Sequence, residues 1–162
     1  MTPLPSPSPG AVAAEHRTDC LFCRIAAGEI PCHAVYQSDR VLAFLDLHPI
    51  RAGHVLAIPR AHHAYYDDIP AETAMEIMQL GQRLAPLMRS RLSAKRVAFF
   101  YTGTDIAHAH AHIVPMVENG DITSRRYIQE ETVTFGPAPR MADNALADIA
   151  ATITGALREL PA

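Results

Sequence analysis

The chain of 162 residues contains no apolar run near the roughly 20 residues that a membrane-spanning helix requires, and its amino terminus shows no basic segment followed by an apolar one. These absences lead to the expectation of a protein that is neither membrane-embedded nor secreted, and so cytoplasmic. Positive charge is also scarce: 14 Lys and Arg stand against 17 Asp and Glu, a formal charge of −3. A polyanion held by bulk counterion release is thereby excluded, so duplex nucleic acid is not an expected partner, and any phosphate must be met by a local site. Cysteine is limited to three residues, Cys20 and Cys23 in a C-x-x-C pair and Cys32 alone. That is too few and too uneven for a disulfide framework, which leaves metal or redox chemistry as the first reading of the pair.

What is present is enough for one packed core, with 49% hydrophobic residues in a chain of single-domain length. Thr2 to Gly10 alternates proline at 3, 5, 7 and 9 with serine and other small residues, a composition that forms neither helix nor core, so residues 1–17 are read as a flexible tail and 18–162 as the domain. No internal repeat is visible. Ala34 to Tyr36, Val41 to Leu47 and Val55 to Ile58 are short β-prone runs separated by turn material, the pattern of an antiparallel meander. Pro70 to about Leu92 changes to helical spacing, with Ala74, Ile77, Met78, Gly81, Leu84, Met88 and Leu92 on one face and a kink expected at Pro86. Val97 to Tyr101 and Ala107 to Val117 return to strand character, and Phe135 to Arg140 is a Pro/Gly-rich loop before a second helix at Asn144 to Leu160. Strands, helix, strands, helix is the order of an α+β domain rather than an alternating parallel one.

The segment from Ala107 to Pro115 carries histidine at 108, 110 and 112. On a strand these project to one side, with successive rings roughly 6.5 to 7 Å apart. Each imidazole has two nitrogens that need partners when buried, so three in alternation make a costly ordinary core. Three readings stay open from the residues alone. The row can be a solvated strand face; it can ligate zinc; or one neutral imidazole can attack an electrophile such as phosphorus while its neighbours orient it and offset developing charge.

The sequence resembles the histidine-triad (HIT) family, whose signature alternates three histidines with apolar residues and ends in two apolar positions; His108 to Val114 fits each place. The likeness extends through Cys20-Leu-Phe-Cys-Arg-Ile25, Gly28-Glu-Ile-Pro31, Val41-Leu-Ala-Phe-Leu-Asp46, Pro49 and Gly53 to His62, covering roughly residues 19–117 in order. The resemblance implies a HIT-like α+β fold, an antiparallel sheet of about five strands with one long and one C-terminal helix, in a homodimer. It implies a hydrolase or nucleotidyl transferase acting at the α-phosphate of a nucleoside phosphate derivative, with a purine nucleotide as the small-molecule partner. By this likeness His110 is the nucleophile forming a nucleotidyl-imidazole, His112 and His108 complete the triad, and Asp46 accepts hydrogen bonds from the ribose hydroxyls. Leu21, Phe22, Ile25, Phe44 and Leu47 line the base pocket. By the residues alone, Asp46 reads as a strand-end aspartate opening the turn Asp46-Leu-His-Pro49, and the apolar set as plain core.

Some HIT proteins carry zinc on a C-x-x-C pair, which by resemblance places a structural zinc on Cys20, Cys23, His62 and His108, with no organic cofactor. His63 is the alternative if the register at Pro59 shifts by one, and two free buried thiols are the plainer reading of the pair. The chain departs from many relatives before the triad, where Gly103-Thr104-Asp105 stands for Gly-Gln-Ser or Gly-Gln-Thr, in a shorter loop. Thr104 then takes a phosphate-contact position, and Arg125 and Arg126 are candidates for replacement contacts. These features match a short-loop branch of the family. Two other functions compete: a slow or non-catalytic nucleotide-binding module with a regulatory role, and a zinc hydrolase using the histidine row as ligands.

Overall fold

The computed structural model describes residues 16–102, 105–118, 121–122 and 139–159. The tail therefore lies almost wholly outside the described residues, as do Thr104, Arg125, Arg126 and most of the Phe135 to Arg140 loop. Among the described residues three α-helices, α1 (Leu21–Ala26), α2 (Ala71–Arg91) and α3 (Asp143–Glu159), accompany five strands, β1 (Ala34–Gln37), β2 (Val41–Leu45), β3 (Val55–Pro59), β4 (Arg96–Thr102) and β5 (His110–Met116). The sheet has the order β1-β2-β3-β5-β4, and every neighbouring pair is antiparallel. The expected α+β architecture is thus present, with the meander and both long helices.

Strand pairing divides the side chains between two faces. Val41, Ala43, Leu45, Val55, Ala57, Ala111 and Ile113 form one core with Ile77, Leu80, Leu84 and Met88 of α2 and Leu146, Ile153 and Leu157 of α3. Ala43, Ala57 and Ala111 are in register across the three central strands, so small side chains line up under the helices. The opposite face, with Leu42, Phe44, Leu56 and Ile58, is covered by Phe22, Cys20 and Cys23 from α1 and its start. Both faces of β2 and β3 are consequently buried, which accounts for their continuous apolar runs. Arg60 fixes α1 from below: its Nε donates to the Ser38 carbonyl at 2.7 Å and its Nη1 to the Ala26 carbonyl at 2.8 Å.

Several local expectations are corrected. The buried stripe of α2 runs through Thr73, Ile77, Leu80, Gly81, Leu84, Leu87 and Met88, and Met78 is exposed. The apolar positions admit two neighbouring stripes, and contact with the alanine row selects the one centred on Ile77, Leu80 and Leu84. Pro86 lies inside α2, as read from the sequence, and is exposed, and the helix runs on to Arg91. The β5 ladder begins at His110 rather than Ala107, because the Ala109 amide turns away to donate to the His63 carbonyl at 2.7 Å. Helix α1 was not anticipated; six residues are too few for a helical period to show.

The β2–β3 loop depends on Gly53, whose φ of +91° is disfavoured for L side chains and whose missing Cβ makes room for Leu92. Gly53→Ala is expected to lower stability by about 1–3 kcal/mol, from strain and overlap combined, read by denaturant or thermal unfolding. An unchanged midpoint would show that the loop relaxes freely.

Candidate active site and metal centre

Residues at the start of α1 and before β5 converge on one cluster. Cys20 precedes the first turn of α1 and Cys23 follows one turn later, so both sulfurs face the strand layer. Cys20 Sγ lies 3.4 Å from His108 Nδ1, and Cys23 Sγ lies 3.4 Å from His62 Nδ1 and 3.6 Å from His108 Nδ1. The four donor atoms all fall within 4.8 Å of one another. A tetrahedral zinc with bonds of about 2.3 Å to sulfur and 2.0–2.1 Å to nitrogen requires S···N separations of about 3.6 Å, so this donor set fits the ion. His108 Nε2 donates to the Pro59 carbonyl at 3.0 Å, which leaves Nδ1 with its lone pair turned toward the sulfurs. All three thiols are free of disulfides. His63 is not part of the cluster. A cavity of about 310 Å³, lined by Arg17, Asp19, Leu21 and Asp105, reaches Cys20 and His62 from outside.

The other two histidines of the row continue along β5. His110 Nδ1 lies 2.7 Å from the carbonyl oxygen of His108, its hydrogen-bond acceptor, so Nε2 points away from that backbone with a free lone pair in the neutral ring. The His110 ring has the edge of Phe22 against it at 5.1 Å between centroids and the His112 ring at 4.9 Å. It is 7% exposed, whereas His112 is half-buried. His112 Nε2 lies 3.1 Å from Thr102 Oγ1 on β4, and its ring stacks on Phe100 at 4.9 Å with 5° between planes. Its Nδ1 meets His54 Nε2 at 3.0 Å.

Asp46 sits at the end of β2, half-buried, where its Oδ1 accepts the His48 amide at 2.9 Å. The turn role read from the sequence is therefore present, and it uses one oxygen; Oδ2 lies 3.5 Å from His54 Nδ1. Phe22 and Phe44 are buried and in edge contact at 5.8 Å, and Ile25 is half-buried. Leu21 and Leu47, expected in the same pocket, are exposed at the surface. The Met141 amide donates to the Leu47 carbonyl at 2.9 Å and anchors Leu47 to the segment before α3. Asp105 is exposed.

Three residues escaped the sequence reading. His54 is 2% exposed and joins Asp46 to His112; its signal, an imidazole directly after a turn glycine in an apolar run, is faint. Phe100 and Thr102 lie opposite His112 and His110 in the β4–β5 register, and register between strands cannot be read from either strand alone.

The HIT domain family model matches residues 27–119. The chain belongs to the HIT family. A HIT-like protein of Methanocaldococcus jannaschii is 32% identical over 107 residues, covering 61% of this chain and 80% of its own length. The adenosine 5′-monophosphoramidase of Saccharomyces cerevisiae is 33% identical over 97 residues, covering 59% of this chain and 61% of that enzyme. Among solved structures, a zinc-bound histidine triad family protein from Mycobacterium smegmatis superposes with a TM-score of 0.66 at 27% identity, covering 87% of this chain and 94% of that one. The matched HIT segment begins after Cys20 and Cys23, so the cysteine arm of the metal cluster lies outside it, while His62 and the whole triad lie inside.

Burial governs the electrostatics of this HIT site. Desolvation is the main cause that lowers His54 and brings both His108 and His112 down to about 4, with repulsion from neighbouring imidazoles adding to it. Burial likewise pushes the Cys23 thiol up. Because burial brings His108 and His112 down to about 4 in the folded chain, against about 6.5 when unfolded, the unfolded chain binds more protons between those values. Stability is therefore fully present above pH 6.5 and is lost as pH falls toward 4. Thermal unfolding of metal-free protein is expected to show Tm falling through this window, and His112→Gln should flatten the slope; a pH-independent Tm would contradict the buried neutral rings.

Proposed function

We propose that this HIT protein is a nucleotide hydrolase or nucleotidyl transferase acting at the α-phosphate of a nucleoside phosphate derivative through His110. The carrying observation is the 2.7 Å hydrogen bond from His110 Nδ1 to the His108 carbonyl, which selects the tautomer whose Nε2 can attack. In the first step Nε2 forms a bond to the α-phosphorus and the bond to the leaving group breaks, the leaving group taking a proton from solvent. In the second step water adds to phosphorus, the N–P bond breaks, and the released proton returns to solvent. His112, next along the strand, donates to the phosphate oxygens as charge grows on them. Asp46, with Oδ2 left over from the turn, accepts from the ribose diol, and Phe22, Ile25, Phe44 and Leu47 take a purine base. The phosphoramidase activity of the yeast relative supports this substrate class.

Cys20, Cys23, His62 and His108 would hold a zinc ion, which with four protein ligands supplies structural cross-linking and no activated water. The proposed role of the cluster is to bind α1, with Phe22, to the segment that precedes the nucleophile. Association as a homodimer and a cytoplasmic setting are part of the same reading. The free thiols suit a reducing compartment, and no described helix is long and apolar enough to cross a membrane.

Incubation with adenosine 5′-phosphoramidate followed by rapid acid-free mass spectrometry is expected to show a nucleotidyl adduct that is absent in His110→Ala. His112→Ala should lower kcat by about 10²–10³-fold. Nucleotide binding without adduct or turnover would instead support the regulatory module.

Metal content separates this mechanism from a zinc hydrolase. Cys20→Ser with Cys23→Ser should lose the metal and several degrees of Tm, whereas His110→Ala should keep full zinc content by elemental analysis. Loss of zinc from His110→Ala would place the nucleophile among the ligands and overturn the proposal.

A further inference from the structure

Asp46, His54, His112 and Thr102 form one continuous row of polar contacts from the end of β2 to the end of β4. His54 occupies its centre at 2% exposure, with its two ring nitrogens facing opposite ways. Nε2 meets His112 Nδ1 at 3.0 Å. Nδ1 is contested: the Ile50 amide approaches it at 3.4 Å as a donor, and Asp46 Oδ2 stands 3.5 Å away as an acceptor. These three side chains also fall within metal-binding range of one another. His54 offers opposite nitrogens to Asp46 and His112, so its contacts join the two into one chain through a single ring.

A neutral imidazole has one N–H and one lone pair, so two linked rings can be ordered in only two directions. In the first, His54 Nδ1–H faces Asp46, His54 Nε2 accepts from His112 Nδ1–H, and His112 Nε2 is left as an acceptor toward Thr102. In the second, Ile50 N–H donates to His54 Nδ1, His54 Nε2–H donates to His112 Nδ1, and His112 Nε2–H points outward as a donor. Only the second presents a hydrogen-bond donor to a phosphate. The row cannot reverse in part, since two facing lone pairs or two facing N–H groups would be buried against each other.

We propose that His54 is a specificity relay: engagement of Asp46 by a ribose 2′,3′-diol withdraws the competing acceptor from His54 Nδ1 and sets His112 with its Nε2–H toward the phosphate. The inference rests on the nucleotide reading above. The change moves protons without net gain or loss. His54 Nδ1–H passes to solvent by way of Asp46, His112 Nδ1–H passes to His54 Nε2, and His112 Nε2 takes a proton from solvent through the Thr102 hydroxyl. No bond to carbon or phosphorus changes. A sugar without the diol is then handicapped twice, once in binding at Asp46 and again in the chemical step. His54 touches neither substrate nor phosphate in this scheme; it is a positioning residue.

Steady-state kinetics with adenosine 5′-phosphoramidate and its 2′,3′-dideoxy analogue tests the relay in the full-length protein. In the wild type, kcat for the dideoxy analogue should be at least about tenfold lower, beyond any KM difference. In His54→Gln, whose amide cannot exchange its N–H for a lone pair, the kcat ratio should collapse to within about twofold while the KM ratio persists, because Asp46 is intact. Persistence of the full kcat ratio in a folded His54→Gln overturns the relay. Should that variant fail to fold, ¹⁵N spectra of wild-type histidine rings decide: adenosine should exchange the protonated and unprotonated shifts of the His112 nitrogens, and 2′,3′-dideoxyadenosine should not. Identical responses to the two nucleosides overturn the relay alone. Absence of calorimetric binding for nucleosides and nucleotides alike overturns the nucleotide reading, and the relay falls with it.

Discussion

The structure around β5 depends on how His108 is held. Its Nε2 is bonded to the Pro59 carbonyl, its Nδ1 faces two sulfurs, and its own carbonyl receives the His110 N–H. One residue therefore links the end of β3, the start of α1 and the central ring of the triad. An imidazole buried this deeply is tolerated only because both nitrogens have partners, and those partners leave it one orientation. The backbone of His108 follows the side chain, so whatever fixes the ring also fixes the carbonyl that orients His110.

The sheet separates stability from chemistry by its two faces. One carries the alanine row and the branched residues that meet α2 and α3, a dense apolar core in which small residues admit the helices closely. The other carries Leu42, Phe44, Leu56, Ile58, His110 and His112, with α1 and its cysteines laid across part of it. Because successive residues of a strand alternate faces, β5 can give its alanine and isoleucine to the core and its histidines to the site within seven residues.

Burial also sets the charge state of the site. His54, His108 and His112 are all held neutral by desolvation, and mutual repulsion among the rings acts in the same direction. A row of neutral imidazoles offers fixed donors and acceptors without the cost of burying several positive charges together. For a chain with a formal charge of −3, such oriented dipoles are a local means of receiving a phosphate that its net charge does not attract.

The alternation of histidine and apolar residues from 108 to 112, the C-x-x-C spacing and the periods of the strands and α2 were legible in the sequence, because each is a local repeat that backbone geometry converts directly into a face. Two cysteines one helical turn apart, and His110 and His112 on one side of β5, are consequences of covalent spacing. What only the tertiary structure decided is which of these meet. The β4–β5 register brought Phe100 and Thr102 against the triad, the Gly53 turn delivered His54 between Asp46 and His112, and departure of residue 109 from the ladder carried His108 to the cysteines. Such encounters join positions from 8 to 88 residues apart, so they are set by strand order and packing, which no local period encodes.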